Sequence, residues 1–316
     1  MNSWMEPGHA ELPDHQGTTV CAIDLGSRNF KAVVGRLSGG AIVTRLLDKV
    51  RLDLGEHLAE NRGSISAAKI AEILAALDAL AARGRAEGAS KVLAVGTRAL
   101  RAARNADAVI GAARAAGIAI EIVSGEREAE LGYLCATGGA PNRLVSDLGS
   151  QSLEISWKTR SAIESRCVGP GYVGAYGTWF AGASGFGAAR AEYDAFLARH
   201  IDRLPRGTEQ LLCLASNTTA SYVLGRPKAE VTNRPLPHAP LAETIRTLER
   251  LSPAAWREHR GSTARAEKVL PGLVVLDHLM RRSGHREAVM VEAELPFGLI
   301  VEHFARAGGS RSIRPG

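Results

Sequence analysis

RLVSDLGSQSLEIS, residues 143–156, is a short apolar run that ends in an acid, turns through a glycine and runs apolar again. TVCAIDLGSRNFKAVVG, residues 19–35, does the same near the N-terminus, so Asp24 and Asp147 each stand at the end of a strand-like run. β-branched and apolar residues closing on Asp and Gly predict a strand entering a tight turn. After the first turn, NFKAVVGRLSGGAIVTRLLDKVRLDL predicts two further strands around Ser38-Gly39-Gly40. SISAAKIAEILAALDALAARGRAEG has helical apolar spacing, with Ser64 or Ser66 as its N-cap. A strand (KVLAVGT), a helix (RALRAARNADAVIGAARAAG), a strand (IAIEIVS) and a helix (EREAELGYLCATG) follow, giving β-β-β-α-β-α-β-α.

The second half restarts at NRLVSDLGSQSLEISWKTRSAIESRCVGPG with another meander. Helices are predicted over 186–200 and 240–259, and a strong one at EKVLPGLVVLDHLMRRSG. A strand at EAVMVEAEL precedes a last helix over 298–307. TGGAPN, 137–142, reads as the linker, and GRPKAEVTNRPLPHAP as a Pro-rich surface loop. The expectation is an α/β protein built from two copies of one module, with two similar lobes facing each other across a cleft. The expected boundaries are a disordered lead-in over 1–17, a first domain over 18–138, a second over 139–296, and a helix and tail over 297–316 that returns to the first domain.

Composition narrows the function classes. The chain has 316 residues, 45% of them hydrophobic, enough for two packed cores. No apolar run approaches the ~20 residues of a membrane span, and the opening residues lack the order of a secretory signal. The expectation is a cytoplasmic protein with no membrane partner. Cys21, Cys135, Cys167 and Cys213 are scattered without metal-ligand spacing and read as reduced, small core residues. The net charge of +6 favours anionic partners without naming one. Its arginines are spread along the chain, which argues against a dedicated nucleic-acid site.

A strand-turn-strand can present successive backbone N–H groups to one side, and a glycine lets an anion come close. Two such loops could clamp a polyphosphate while their aspartates hold Mg²⁺. Either turn by itself reads first as an ordinary β-turn with Asp and Gly chosen for turn chemistry, and it is the pair, each at the head of a similar half, that brings the phosphate reading level with it. SGEREAELGY, 124–133, is open in the same way. It is a capped helix start with acids Glu126, Glu128 and Glu130, or it carries a general base for water on one of them.

These motifs together resemble the Ppx/GppA phosphatases, exopolyphosphatases and guanosine pentaphosphate phosphohydrolases. AIDLGSRNFKAVV resembles their first phosphate loop, VRLDLGEHL the segment after the meander, and VGTRALRAARNADAVI their Thr-x-x-Leu-Arg-x-Ala-x-Asn stretch. EIVSGEREAELGY resembles the segment with the catalytic glutamate, and VSDLGSQSLEI the second phosphate loop. ARAEKVLPGLVVLDHLM is the best match beyond residue 160. The resemblance implies the duplicated actin/Hsp70/sugar-kinase (ribonuclease H-like) fold in its short, two-domain form. It implies Glu128 as the base that activates water on a terminal phosphoryl group. Asp24, Asp147 and Glu154 are implied as Mg²⁺ positions. Gly26, Ser27, Asn29, Arg51, Arg101, Gly149, Ser150 and Ser152 are implied as phosphate contacts. Polyphosphate or a guanosine polyphosphate nucleotide is the implied substrate, and a homodimer the implied assembly.

The sequence departs from that pattern in the second half. Where the family has Asp-x-Gly-Gly-Gly-Ser, this chain has Asp147-Leu148-Gly149-Ser150-Gln151-Ser152. If those positions need positive φ or close approach to phosphate, a side chain costs about 1 kcal/mol each or obstructs the ligand. Arg28 stands in the family's Ser-Asn-Ser, ASNTTAS (215–221) replaces a Gly-Gly-Thr loop, and Pro296-Phe297-Gly298 replaces Arg-Glu-Gly. The arginine expected after VGPG is missing. Two functions stay open: a phosphoanhydride hydrolase, and an impaired homologue that binds an anionic ligand or a protein partner in a regulatory role. A kinase or ATPase is the weaker third reading, because the glutamate base is kept.

Overall fold

A computed structural model of the chain describes residues 18–38, 41–158, 162–262 and 266–307. The lead-in 1–17 and the Gly39-Gly40 turn lie outside the described residues. The chain divides into two units, Met1–Ala140 with Ala293–Gly316, and Pro141–Glu292.

The first unit opens with β1 (Thr19–Leu25), β2 (Asn29–Ser38) and β3 (Ala41–Arg51). It continues through α1 (Leu54–Glu60), α2 (Ala67–Ala86), β4 (Lys91–Gly96), α3 (Arg98–Ala102), α4 (Ala106–Ala115), β5 (Ile120–Ile122) and α5 (Gly125–Thr137). The second unit has β6 (Arg143–Leu148), β7 (Ser152–Lys158), β8 (Ile163–Pro170), α6 (Tyr172–Ala175) and a π-helical turn over Tyr176–Phe180. Next come α7 (Phe186–His200), β9 (Gln210–Leu214), α8 (Asn217–Leu224), α9 (Lys228–Val231) and β10 (Pro235–Pro237). Then α10 (His238–Glu249), α11 (Pro253–Ser262), α12 (Ala266–Ser283) and β11 (Glu287–Val291) complete it. The last helix, α13 (Leu295–Ala307), packs in the first unit against α5, β1 and β2.

The first sheet has the order β3-β2-β1-β4-β5, the meander antiparallel and the β1/β4 and β4/β5 pairs parallel. The second sheet repeats it as β8-β7-β6-β9-β11 with the same directions, and adds β10 antiparallel to β11. Each unit is therefore an actin/sugar-kinase-like, ribonuclease H-like module, and the fold is a duplication of it.

The central strand of the first sheet is buried on both faces, which is why it reads as an almost unbroken apolar run. Cys21, Ile23 and Leu25 pack with Ile73, Leu77 and Leu80 of α2. Val20 and Ala22 pack on the other face with Leu131 of α5 and Ile300 and Phe304 of α13. Side chains alternate along a strand, so Asp24 belongs to the face that α5 and α13 cover.

Three expectations need correcting. The stretch 225–240 is no bare surface loop: it holds α9 and a strand, β10, paired with β11. The helix expected over 240–259 is two, because Ser252 Oγ accepts from Ala255 N (3.2 Å) and Pro253 begins a new helix. The helix expected after KVLAVGT is also two. It breaks at Asn105, whose amide binds Ile65 N (2.8 Å) and Ile65 O (2.9 Å) on the α2 approach.

Candidate active site

In the first unit the candidate residues gather at the C-terminal ends of three adjacent parallel strands, the edge where open α/β sheets place ligands. Asp24 is level with Val95 of β4, and Gly96 with Ile122 of β5. Thr97 ties these ends together, its N–H donating to Leu25 O (3.4 Å), while Val123 N donates to Gly96 O (3.1 Å). Asp24 is 7% exposed. Gly26 leaves room above it: a Cβ there would lie 3.5 Å and 3.8 Å from the two carboxylate oxygens and 2.8 Å from Asn29 O.

The acids of SGEREAELGY separate by helix rotation. Ser124 caps α5, its Oγ accepting from Arg127 N (3.1 Å). Glu126 is exposed, and Glu130 pairs with Arg127 (3.2 Å), which also binds Glu302 of α13. Glu128 turns inward. Its carboxylate, 17% exposed, lies 3.6 Å from the Arg101 guanidinium, which in turn donates to Val123 O. Helix capping and an inward acid are therefore both present, on different residues.

Ser27, Asn29 and Arg51 form a separate group at the first loop. Asn29 and Arg51 are cross-strand partners, and Ser27 O accepts from Gly55 N (2.8 Å). Asp53 receives Arg51 (2.6 Å) and Arg28 (3.5 Å), and Arg28 also lies 3.9 Å from Glu56. Arg28 is thus turned to the start of α1. The hydrogen bond to Asp53 raises the Arg51 pKa further, so it stays cationic.

In the second unit Asp147 and Glu154 are directly paired across β6 and β7, which puts both carboxyls on one face of the sheet. Leu144, Leu148, Leu153 and Ile155 take the other face into the core. Glu154 is 3% exposed, with the Cys167 thiol 3.7 Å from its Oε1. Gly149, Ser150 and Ser152 form the turn. Its carbonyls at Gly149 and Ser150 accept from Tyr172 N (3.0 Å) and Val173 N (3.2 Å) at the start of α6. Gly171 is in turn required by the loop, since a Cβ there would be driven into the backbone of Gly149, Ser150 and Gln151.

The strain expected of Ser150 and Gln151 does not arise. Neither has a positive φ, nor do Gly26 and Gly149. The turn reverses the chain through ordinary backbone regions, so side chains at 150 and 151 are tolerated. ASNTTAS is not a loop throughout, since α8 begins at Asn217, but Ala215 keeps a left-handed φ of 56°.

One residue at the first loop had no place in the sequence reading. Lys31 is the cross-strand partner of Asp24, as Glu154 is of Asp147, and it binds Glu294 just before α13. The signal was the alignment of the two turns, Asp-Leu-Gly-Ser-Arg-Asn-Phe-Lys on Asp-Leu-Gly-Ser-Gln-Ser-Leu-Glu. Among the described residues no group of three or more His, Cys, Asp or Glu side chains forms a metal cage. The donors present are single or paired carboxylates, the set that suits Mg²⁺, which keeps several waters. The four cysteines are free thiols. No helix among the described residues is long and apolar enough to cross a membrane.

The fold is that of solved Ppx/GppA proteins. A Ppx/GppA enzyme of Aquifex aeolicus superposes with a TM-score of 0.77 at 18% identity, over 90% of this chain and 99% of that one. An exopolyphosphatase from Cytophaga hutchinsonii superposes with a TM-score of 0.70 at 17% identity, over 91% and 98%. The family model described as the Ppx/GppA phosphatase family matches residues 33–291, a span that holds Arg101, Glu128 and the whole second loop. With that match, the same strand order in both units and the paired Asp-Leu-Gly-Ser turns, the chain belongs to the Ppx/GppA phosphatase family.

Proposed function

We propose that this protein is a phosphoanhydride hydrolase that releases terminal phosphate from inorganic polyphosphate or a guanosine pentaphosphate-type nucleotide. The observation that carries the reading is Glu128. Of the three acids Glu126, Glu128 and Glu130 at the start of α5, it alone is turned in beside Arg101, at the strand ends that also hold Asp24. In this role Glu128 takes a proton from water, which attacks the terminal phosphorus in line with the departing bridging oxygen. Arg101 offsets the negative charge that builds on the phosphoryl oxygens. In the first unit the amides and hydroxyls of the Gly26–Asn29 turn contact non-bridging phosphate oxygens, with Arg51 at its rim, and in the second unit the Gly149–Ser152 turn offers the same kind of donors.

Asp24 in the first unit, and Asp147 with Glu154 in the second, each offer hard oxygen donors for Mg²⁺. When bound, that ion would neutralise phosphate charge. A second reading, anion binding without turnover, is favoured by the Ser150 and Gln151 side chains, which stand where the family's pattern has two glycines.

The test is phosphate release from polyphosphate and from guanosine pentaphosphate with Mg²⁺, wild type beside Glu128→Gln. The expected result is release by the wild type and a loss of about 10²–10⁴-fold in the variant. A folded wild type that binds tripolyphosphate but releases nothing would move the assignment to the anion-binding reading. Equal release by both proteins would remove Glu128 as the base.

A further inference from the structure

The second turn lacks the arginine that the family pattern places after VGPG, and a lysine lies over the ring of Tyr172, a residue hydrogen-bonded to that turn through its backbone. Lys268 is in the first turn of α12, where a positive charge meets the positive end of the helix dipole. It is half-buried, and its Nζ lies 5.3 Å from the centroid of the Tyr172 ring. Tyr172 is the residue whose N–H donates to Gly149 O, and Gly171 before it packs on the backbone of Gly149, Ser150 and Gln151. A lysine stem is long enough to carry its ammonium into water. Here it is laid over an aromatic face anchored to the turn, an attraction that holds the charge in place.

We propose that Lys268, steadied by Tyr172, is the cation with which the second unit binds a phosphate group of a polyphosphoryl chain at the Gly149–Ser152 turn. The assignment rests on the reading of that turn as a phosphate loop. An ammonium is a compact point charge with three donors, so it donates to phosphate oxygens in several directions where a guanidinium requires a planar match. A binding group of this kind tolerates successive phosphates of a chain passing through one position. It also makes binding depend on salt.

Calorimetric titration with inorganic tripolyphosphate tests this, carried out in a Glu128→Gln background so that no turnover intervenes. The comparison is with added Lys268→Met, Lys268→Gln, Lys268→Arg and Tyr172→Leu. Removing the charge should weaken binding about 10- to 100-fold, the range for a hydrogen bond to a charged group. Arginine should restore binding to within a few-fold. Tyr172→Leu, which removes the ring and leaves the charge, should weaken binding only a few-fold. Two neutral variants guard against one that fails to fold, with thermal melting as the check. Tripolyphosphate binding within twofold of the Lys268 protein in both folded neutral variants overturns the proposal, as does no binding before Lys268 is changed. Neither outcome depends on phosphate release, so a failure of the hydrolase reading is seen separately.

Discussion

Single residues show where sequence chemistry acts directly and where it is overridden. Asp24 and Asp147 were legible because strand alternation and turn chemistry are both local: each acid ends a buried strand, and each glycine follows where the chain must turn. Ala215 is the contrary case. It has a left-handed φ of 56° at an exposed position, a backbone region that glycine enters freely and alanine does not. Ala215→Gly should therefore stabilise the second unit by about 0.5–1 kcal/mol, relief of strain outweighing the extra freedom of the unfolded chain. A higher urea midpoint with an unchanged slope is the expected reading. A midpoint at or below wild type would mean the left-handed backbone carries no strain.

Among the elements, the rotation of α5 decides which acid faces inward, and α13 fixes that rotation. Gly298 of α13 lies against the backbone of Leu131, and Arg127 of α5 is bound to Glu302 of α13. Of the Pro296-Phe297-Gly298 segment, the glycine is the part this packing needs. Gly298→Ala would drive a Cβ into Leu131 O, which cannot swing aside as a side chain can. The expected loss is about 1–3 kcal/mol of stability, with lower turnover as Glu128 shifts. Gly111, exposed inside α4 with nothing within 4 Å of its would-be Cβ, should do the opposite. Gly111→Ala should add about 0.5–1 kcal/mol. Thermal melting of the two variants side by side checks both signs, and a shift in the same direction would contradict the packing argument.

At the scale of the whole molecule, the second unit carries a charge network built around two buried groups, Asp277 and His278. Asp277 meets His238 (2.8 Å), Arg281 (2.9 Å) and Arg190 (3.1 Å), and His278 meets Asp194 (2.7 Å), which also binds Arg281 (2.8 Å). Burial pushes the Asp277 carboxyl up, but His238, Arg281 and Arg190 together bring it below its ordinary value. Burial pushes His278 down, against Asp194, with Arg281 and Arg282 lowering it further. For both groups the folded pKa is below the unfolded one, so the stability they contribute is present at neutral pH and lost on acidification. The His278 share goes first, as pH falls below its unfolded value of about 6.5, and the Asp277 share goes below about 3.8. Melting of the wild type should therefore fall between pH 7 and pH 5, and fall less in His278→Gln. A flat wild-type profile over that range would refute the assignment.

The sequence by itself determined the duplication, the strand–turn–strand openings of both modules and the family, because these rest on short-range patterns: alternation along a strand, glycine in a turn, motifs in order. Tertiary structure decided what depends on contacts between distant segments. The break of the 98–115 stretch at Asn105 needed the Ile65 backbone as a partner, 40 residues away. The inward turn of Glu128 needed α13, which follows it by more than 150 residues in the chain. The seating of Lys268 over Tyr172 needed α12 to pack on α6. Periodicity places a residue on a helix, but only packing sets which way that helix is turned, and so which of its charges meets a ligand.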